Sequence, residues 1–468
     1  MELSTWRVVL SKKSPSYSHF DKRVSRKSFF RILKQLKKEF ELKHPQKKIT
    51  YSDAIAMYAF YPFIHYKKEN RRVKNGHRDK PKARDIYYSA HMDSWIYRIY
   101  AAAINEKYNK RVKECGIDSV AVAYRTDLIG KSNVNFANEA FTFIQGHKSC
   151  YVAIIDFTNF FDNLSHSYLK KRLCDLYSQQ KLPNDLYAVY KNITRFSFVE
   201  LNDLLRKQLL ENNRVGLRKF NSLERVLTPQ EFRESRKELV KKPSEPGIGI
   251  PQGSPISAVL ANVYMLEADK KVTDLVRSFN GFYMRYSDDL IIVDPSANGL
   301  FVDHLKQIRE IFALTPNLKC EDNKTKIFRI YDERVENKTD EFIPNGKKGK
   351  NVIEFLGFAF DGRYIRIRDK TVSKYYNKLY RKIKTIVKRK GYTPDHKRIS
   401  CRNLYDKYSY KGSLGQKRKT GQVMTIEEGN FIDYVLRAKS VFSGQPVDTV
   451  AKRHMQKIRK RLNRMKEK

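Results

Sequence analysis

Tyr286-Ser287-Asp288-Asp289 places two adjacent carboxylates between apolar runs, Gly281-Phe282-Tyr283-Met284 before and Leu290-Ile291-Ile292-Val293 after. The pattern predicts a β-hairpin with acids at its tip. Setting two charges between buried strands is costly unless a cation neutralises them, and hard carboxylate oxygens suit Mg²⁺ or Mn²⁺. The pair therefore reads as half of a metal site, against the commoner case in which neighbouring acids are solvated turn residues.

Two more stretches support the metal reading. Ala153-Ile154-Ile155-Asp156-Phe157-Thr158-Asn159-Phe160-Phe161-Asp162 is a short apolar run with strand character that delivers an acid at its end, so Asp156 is the candidate third ligand. Gly247-Ile248-Gly249-Ile250-Pro251-Gln252-Gly253-Ser254-Pro255-Ile256-Ser257 is a Gly/Pro-rich loop running into the helix-like Ala258 to Leu266. Glycine there lets backbone approach a base or sugar, and Ser257 falls near the expected helix N-terminus. Two divalent ions roughly 3.5–4 Å apart on such acids would activate an attacking hydroxyl and stabilise a leaving pyrophosphate.

The order strand-acid, Pro-Gln-Gly loop and Tyr-x-Asp-Asp hairpin resembles motifs A, B and C of reverse transcriptases. Asn323-Lys324-Thr325-Lys326-Ile327 is similar to motif D of that family and Glu354-Phe355-Leu356-Gly357-Phe358 to motif E. Lys82 to Ile86 and Ala123-Tyr124-Arg125 resemble its basic fingers elements. The resemblance spans about Lys80 to Ile367. It implies an α+β right-hand polymerase fold with fingers, an antiparallel palm sheet with helices, and a helical thumb.

Carried over by position, the resemblance implies metal binding by Asp156, Asp288 and Asp289, supported by the Phe157 carbonyl, with two Mg²⁺ ions, or Mn²⁺, as cofactor. Phe161 falls where the family has its aromatic steric gate, which would favour deoxynucleotides. Gln252 and Gly253 would border the nascent base pair and the template. Lys324 would serve as general acid or charge stabiliser at the departing pyrophosphate. Arg84 and Arg125 are the candidates for gripping the triphosphate of a dNTP.

Ninety-four Lys plus Arg against fifty-one Asp plus Glu leave a formal charge of +43. Such an excess points to a polyanionic partner and salt-dependent binding. No run of some 18 apolar residues and no apolar leader-like start is present, so the sequence gives no reason to expect a membrane and suggests a cytoplasmic protein. Cys115, Cys150, Cys174, Cys320 and Cys401 are scattered, without Cys-x-x-Cys pairing or zinc spacing, and read as free thiols. His166, just after motif A, reads as a local structural residue.

The expected organisation is a basic N-terminal extension with fingers over 1–79, fingers and palm over 80–367 with an inserted helical element at about 195–246, and a basic helical thumb over 368–468. Lys67 to Lys82 reads as a polar linker. Val372, Tyr375, Leu379, Ile383 and Ile386 recur at helical spacing, as do Val447, Val450, Met455, Ile458, Leu462 and Met465, and both sets are flanked by basic residues. Lys388-Arg389-Lys390 and Lys417-Arg418-Lys419 are the candidate nucleic-acid contacts.

Within the family, the lack of a Val-Thr-Gly motif, of maturase-like parts and of zinc ligands favours a resemblance to bacterial defence-associated enzymes of the unknown-group and abortive-infection class. That implies antiviral action against phages, with a dedicated noncoding RNA as template partner, a DNA product, and a possible homo-oligomer or accessory defence protein. Template-independent or protein-primed DNA synthesis remains open. So does an RNA-dependent RNA polymerase, in which Asp162 would be a second motif A acid. A noncatalytic RNA-binding protein on a palm scaffold is the non-enzyme alternative.

Overall fold

The computed structural model describes residues 17–70, 73–74, 77–78, 82–344, 346–390, 392, 401–412 and 429–466. Its compact units are not contiguous in sequence. One comprises Met1–Asp127, Phe157–Thr273 and Ile308–Cys320, the other Leu128–Asp156, Asp274–Gln307 and Glu321–Lys468.

In the first unit, strand Phe63–Asn70 pairs antiparallel with Lys82–Tyr88 and parallel with Phe198–Glu200. The expected linker from Lys67 to Lys82 is thus corrected at both ends: Lys67 to Asn70 and Lys82 belong to paired strands, with Lys68 opposite Arg84. A boundary at residue 80 would separate these two strands. Polar alternation marks strands with one wet face, and by composition alone such strands resemble a linker. His65, buried, sits between the carboxylates of Asp85 and Glu200 at 2.8 and 2.9 Å.

Helices Leu201–Lys207, Arg214–Phe220 and Pro229–Leu239 occupy the stretch expected to be an inserted helical element. The last begins with a capping box of Thr228 and Glu231, with proline at its first turn. Their apolar faces join Phe20, Ile64 and Val199 in one buried cluster with Leu204, Phe220 and Leu239. Separating the element from this unit would expose that cluster to water.

The second unit is built on a five-stranded antiparallel sheet. Its spatial order is Arg334–Asn337, Lys326–Tyr331, Ser149–Ile155, Asp289–Asp294, Phe282–Tyr286. The central strand Cys150 to Ile155 is almost wholly buried, which accounts for its unbroken apolar sequence. A three-stranded meander, Ile353–Phe355, Phe358–Phe360 and Ile365–Ile367, follows. Leu356 and Gly357, at φ 46° and 94°, make the left-handed two-residue turn that suits right-twisted strands.

Helix Asp369–Lys388 buries Tyr375, Leu379, Ile383 and Ile386 against Leu404, Ile432, Ile458 and Leu462. The second expected stripe is corrected at its start, because Val447 lies in the short 3₁₀ turn Pro446–Asp448 and the helix proper is His454–Lys466. Lys388, Arg389 and Lys390 are exposed, whereas Lys417, Arg418 and Lys419 lie outside the described residues. Among the described residues, Cys115, Cys150, Cys174 and Cys320 form no disulfide.

Candidate active site

Residues of the second unit assemble the acids. Ile155 pairs with Leu290 in the register of the central strands, so the next residue toward the hairpin, Asp156, arrives at the level of Asp289. Tyr286 pairs with Asp289, leaving Ser287 and Asp288 as a two-residue turn. Ser287 adopts φ 63°, a conformation that usually selects glycine. Arg285 offsets this strain: its guanidinium, fully buried, donates to the Ser287 carbonyl at 3.0 Å. Sequence reasoning passed over Arg285. Its only signal was a basic residue inside an otherwise apolar strand.

Asp156 is fixed from two directions. Its carbonyl accepts from the Glu321 amide at 2.8 Å, and Lys324, on the same turn, places Nζ 2.8 Å from its Oδ2. Asp156 Oδ1 is buried with no hydrogen-bond partner. Burial, followed by the charges of Asp288 and Asp156, pushes the Asp289 carboxyl up to about 6, with Arg368 and Lys324 acting in the opposite sense. Asp289 also lines a cavity of about 330 Å³ with Asn133, Tyr286, Glu354 and Arg368.

An unpartnered buried carboxylate oxygen beside two further acids fits a hard divalent cation. The site is not a closed cage, for among the described residues no group of three or more Asp, Glu, His or Cys side chains is already arranged to hold a metal. Asp288 lies in the two-residue turn while Asp289 opens the following strand. Mg²⁺ suits this arrangement, since it commonly takes one or two carboxylates and completes its shell with water and substrate phosphates. Asp156 and Asp288 would hold it, with Asp289 adding charge. Lys324, expected at a leaving group, is here the counter-ion of Asp156.

The first unit carries the remaining expected residues. Phe157 is buried, and its backbone bridges to Cys320. Phe161 accepts from the Ile250 amide at 2.9 Å, which ties it to the Gly-rich loop. Gln252 Nε2 donates to Asp162 at 3.2 Å, while the Gln252 carbonyl accepts from the Tyr87 amide at 2.8 Å. Gly253, at φ 112°, leaves so little room that a Cβ would lie 2.7 Å from the Tyr87 carbonyl. Phe161, Gln252 and Gly253 therefore share one neighbourhood with the strand bearing Arg84, whose side chain is exposed.

Ser257 opens helix Ser257–Ser278, but its hydroxyl donates to the Pro251 carbonyl and closes the loop instead of capping the helix. The buried guanidinium of Arg125 pairs with both oxygens of Asp127 at 3.0 and 2.7 Å and also donates to the Asp118 carbonyl. Its Nε also lies 3.2 Å from Asn109 Oδ1 on helix His91–Glu114, so the guanidinium is well supplied with acceptors within the protein. His166 Nε2 lies 2.7 Å from the Gly249 carbonyl, a structural contact.

Comparison with protein families matches residues 92–360 to the reverse transcriptase (RNA-dependent DNA polymerase) family. The chain belongs to that family. Its five-stranded sheet with the Asp156 strand and the Tyr286–Asp289 hairpin is the reverse transcriptase palm, and the α+β fold follows from the same membership. No curated protein matches. Among solved structures, apo telomerase from Candida tropicalis truncated from its C-terminal domain matches at 12% identity and TM-score 0.38, over 64% of this chain and 55% of that one. Telomerase from Candida albicans with a TWJ fragment of telomeric RNA matches at 12% identity and TM-score 0.36, over 88% and 63%. The chain thus spans less than two thirds of these telomerases.

Proposed function

We propose that this reverse transcriptase is an RNA-directed DNA polymerase that elongates a primer with deoxynucleotides on its palm acids. The observation that carries the proposal is the delivery of Asp156 by strand pairing to the level of the Tyr286–Asp289 hairpin, where burial and the charges of Asp288 and Asp156 raise the Asp289 carboxyl. Two divalent ions bound there would supply activation of the primer hydroxyl and neutralisation of the phosphates. Asp156 and Asp288 hold the charge, Lys324 balances Asp156, and Phe161 limits the space below the sugar. Gln252 and Gly253 offer a close backbone approach to the base pair, and Arg84 is the cation offered to phosphate.

Primer extension on an RNA template, with deoxy- and ribonucleotides supplied separately, tests the activity. Template-copied DNA supports it. Preferential use of ribonucleotides would favour an RNA polymerase, template-independent products would favour the untemplated alternative, and no metal-dependent product at all would leave an RNA-binding scaffold.

We further propose a role in bacterial antiviral defence with a dedicated noncoding RNA, supported by the compact architecture and by the loose sequence resemblance over Arg84 to Phe143. Phage plating on cells carrying the wild type or Asp288→Asn tests this role. Equal plaque numbers on both would remove it. Among the described residues no helix is long and apolar enough to cross a membrane.

A further inference from the structure

A cleft in the first unit, apart from the residues assigned above, lies between helices His166–Leu176 and Asn184–Thr194 and the segment from Lys242 to Ile248. It encloses about 670 Å³. Lys170, Lys191, Arg195 and Lys242 line it, with Glu245 the single carboxylate. All five side chains are exposed, and none of them takes part in an ion pair among the described residues. Arg172, on the same helix as Lys170, is by contrast paired with Asp175 and Glu267. Unpaired like charges gathered in one recess repel one another, and a polyanion relieves that repulsion while releasing its own counterions.

The cleft also offers a stacking platform. Tyr187 is 37% exposed. Its ring stacks on Tyr190 at 6.1 Å and 22°, and Lys170 Nζ lies 5.1 Å from its centroid. The Tyr190 hydroxyl donates to the His166 carbonyl at 2.7 Å, which fixes the supporting ring in place. An aromatic face in a cleft lined by several cations suits an unstacked base and its neighbouring phosphates. Paired bases in a duplex hide the faces that such a ring would need.

We propose that this cleft binds a segment of single-stranded nucleic acid, with one base on Tyr187 and adjacent phosphates on Lys170, Lys191, Arg195 and Lys242. The cleft borders the start of the Gly-rich loop, since the His166 amide donates to the Gly247 carbonyl at 2.9 Å. A strand held there is retained by the same unit that carries Gln252 and Gly253. The proposal does not depend on polymerase activity, because its test needs neither metal nor nucleotide.

The test uses the full chain in chelator with short RNA and DNA oligonucleotides of one sequence carrying a photoreactive pyrimidine. Crosslinked peptides are mapped by mass spectrometry, and affinity is followed against salt. The expected adducts fall on Tyr187, persist in Tyr187→Phe and disappear in Tyr187→Ala. Joint replacement of Lys191, Arg195 and Lys242 by serine should flatten the log–log salt slope by about 2, at roughly 0.7 per single-strand contact. The stronger of the RNA and DNA arms names the strand. Adducts undiminished in Tyr187→Ala, an unchanged salt slope, or equal competition by a blunt duplex would each overturn the proposal.

Discussion

At the residue scale, the acids are held at an electrostatic cost that the structure makes measurable. Asp289 has its carboxyl raised to about 6, above its ordinary value, so the folded state prefers the protonated form. The contribution is therefore most favourable at acid pH and is lost as pH rises toward and through 6. Asp289→Asn should raise the melting temperature of metal-free protein at pH 7.5 and have little effect near pH 4; calorimetry at the two pH values checks this. Phe161→Ala should admit ribonucleotides, read as a fall in the deoxy- to ribonucleotide ratio of kcat/KM. Its ring is only partly buried, so the stability loss should stay below the ~3–5 kcal/mol of a fully buried phenylalanine. The carboxylates were legible in sequence because an acid at the end of an apolar strand is costly to fold unless a cation meets it. The partner of Asp156 was not, since Lys324 is 168 residues away and nothing local announces the pairing. The partner of Arg125 was closer to hand: Asp127, two residues on, was the visible signal of an ion pair.

At the element scale, the Tyr286–Asp289 hairpin depends on a residue outside the motif. Arg285→Met keeps most of the volume but removes the donor to the Ser287 carbonyl, a bond to a charged group worth about 1.5–3 kcal/mol. Incorporation should fall at least tenfold as the turn loosens, with a lower melting temperature; unchanged values of both would remove Arg285 from its supporting role. The Gly-rich loop is equally constrained. Gly253→Ala, at φ 112° and against the Tyr87 carbonyl, should cost about 1–3 kcal/mol and raise KM for the nucleotide, checked by denaturant melts and steady-state kinetics. Helices were legible where an apolar stripe was regular, as at Tyr375, Leu379, Ile383 and Ile386. The hairpin of Phe63–Asn70 and Lys82–Tyr88 was missed in part, because its outer residues are mostly charged and resemble a linker.

At the scale of the whole molecule, the formal charge of +43 makes nucleic-acid affinity a salt-dependent quantity. Replacing the exposed Lys388, Arg389 and Lys390 by serine should weaken RNA association and flatten its salt slope. Incorporation from saturated complex should be spared, because these residues lie outside the palm sheet. The central claim is that Asp156 and Asp288 carry metal-dependent synthesis, and single-turnover incorporation by Asp288→Asn tests it most directly. The predicted rate is lower by several orders of magnitude, equivalent to several kcal/mol of lost transition-state stabilisation, with RNA binding and melting temperature near those of the wild type. Synthesis at close to the wild-type rate by the purified, folded variant would contradict it.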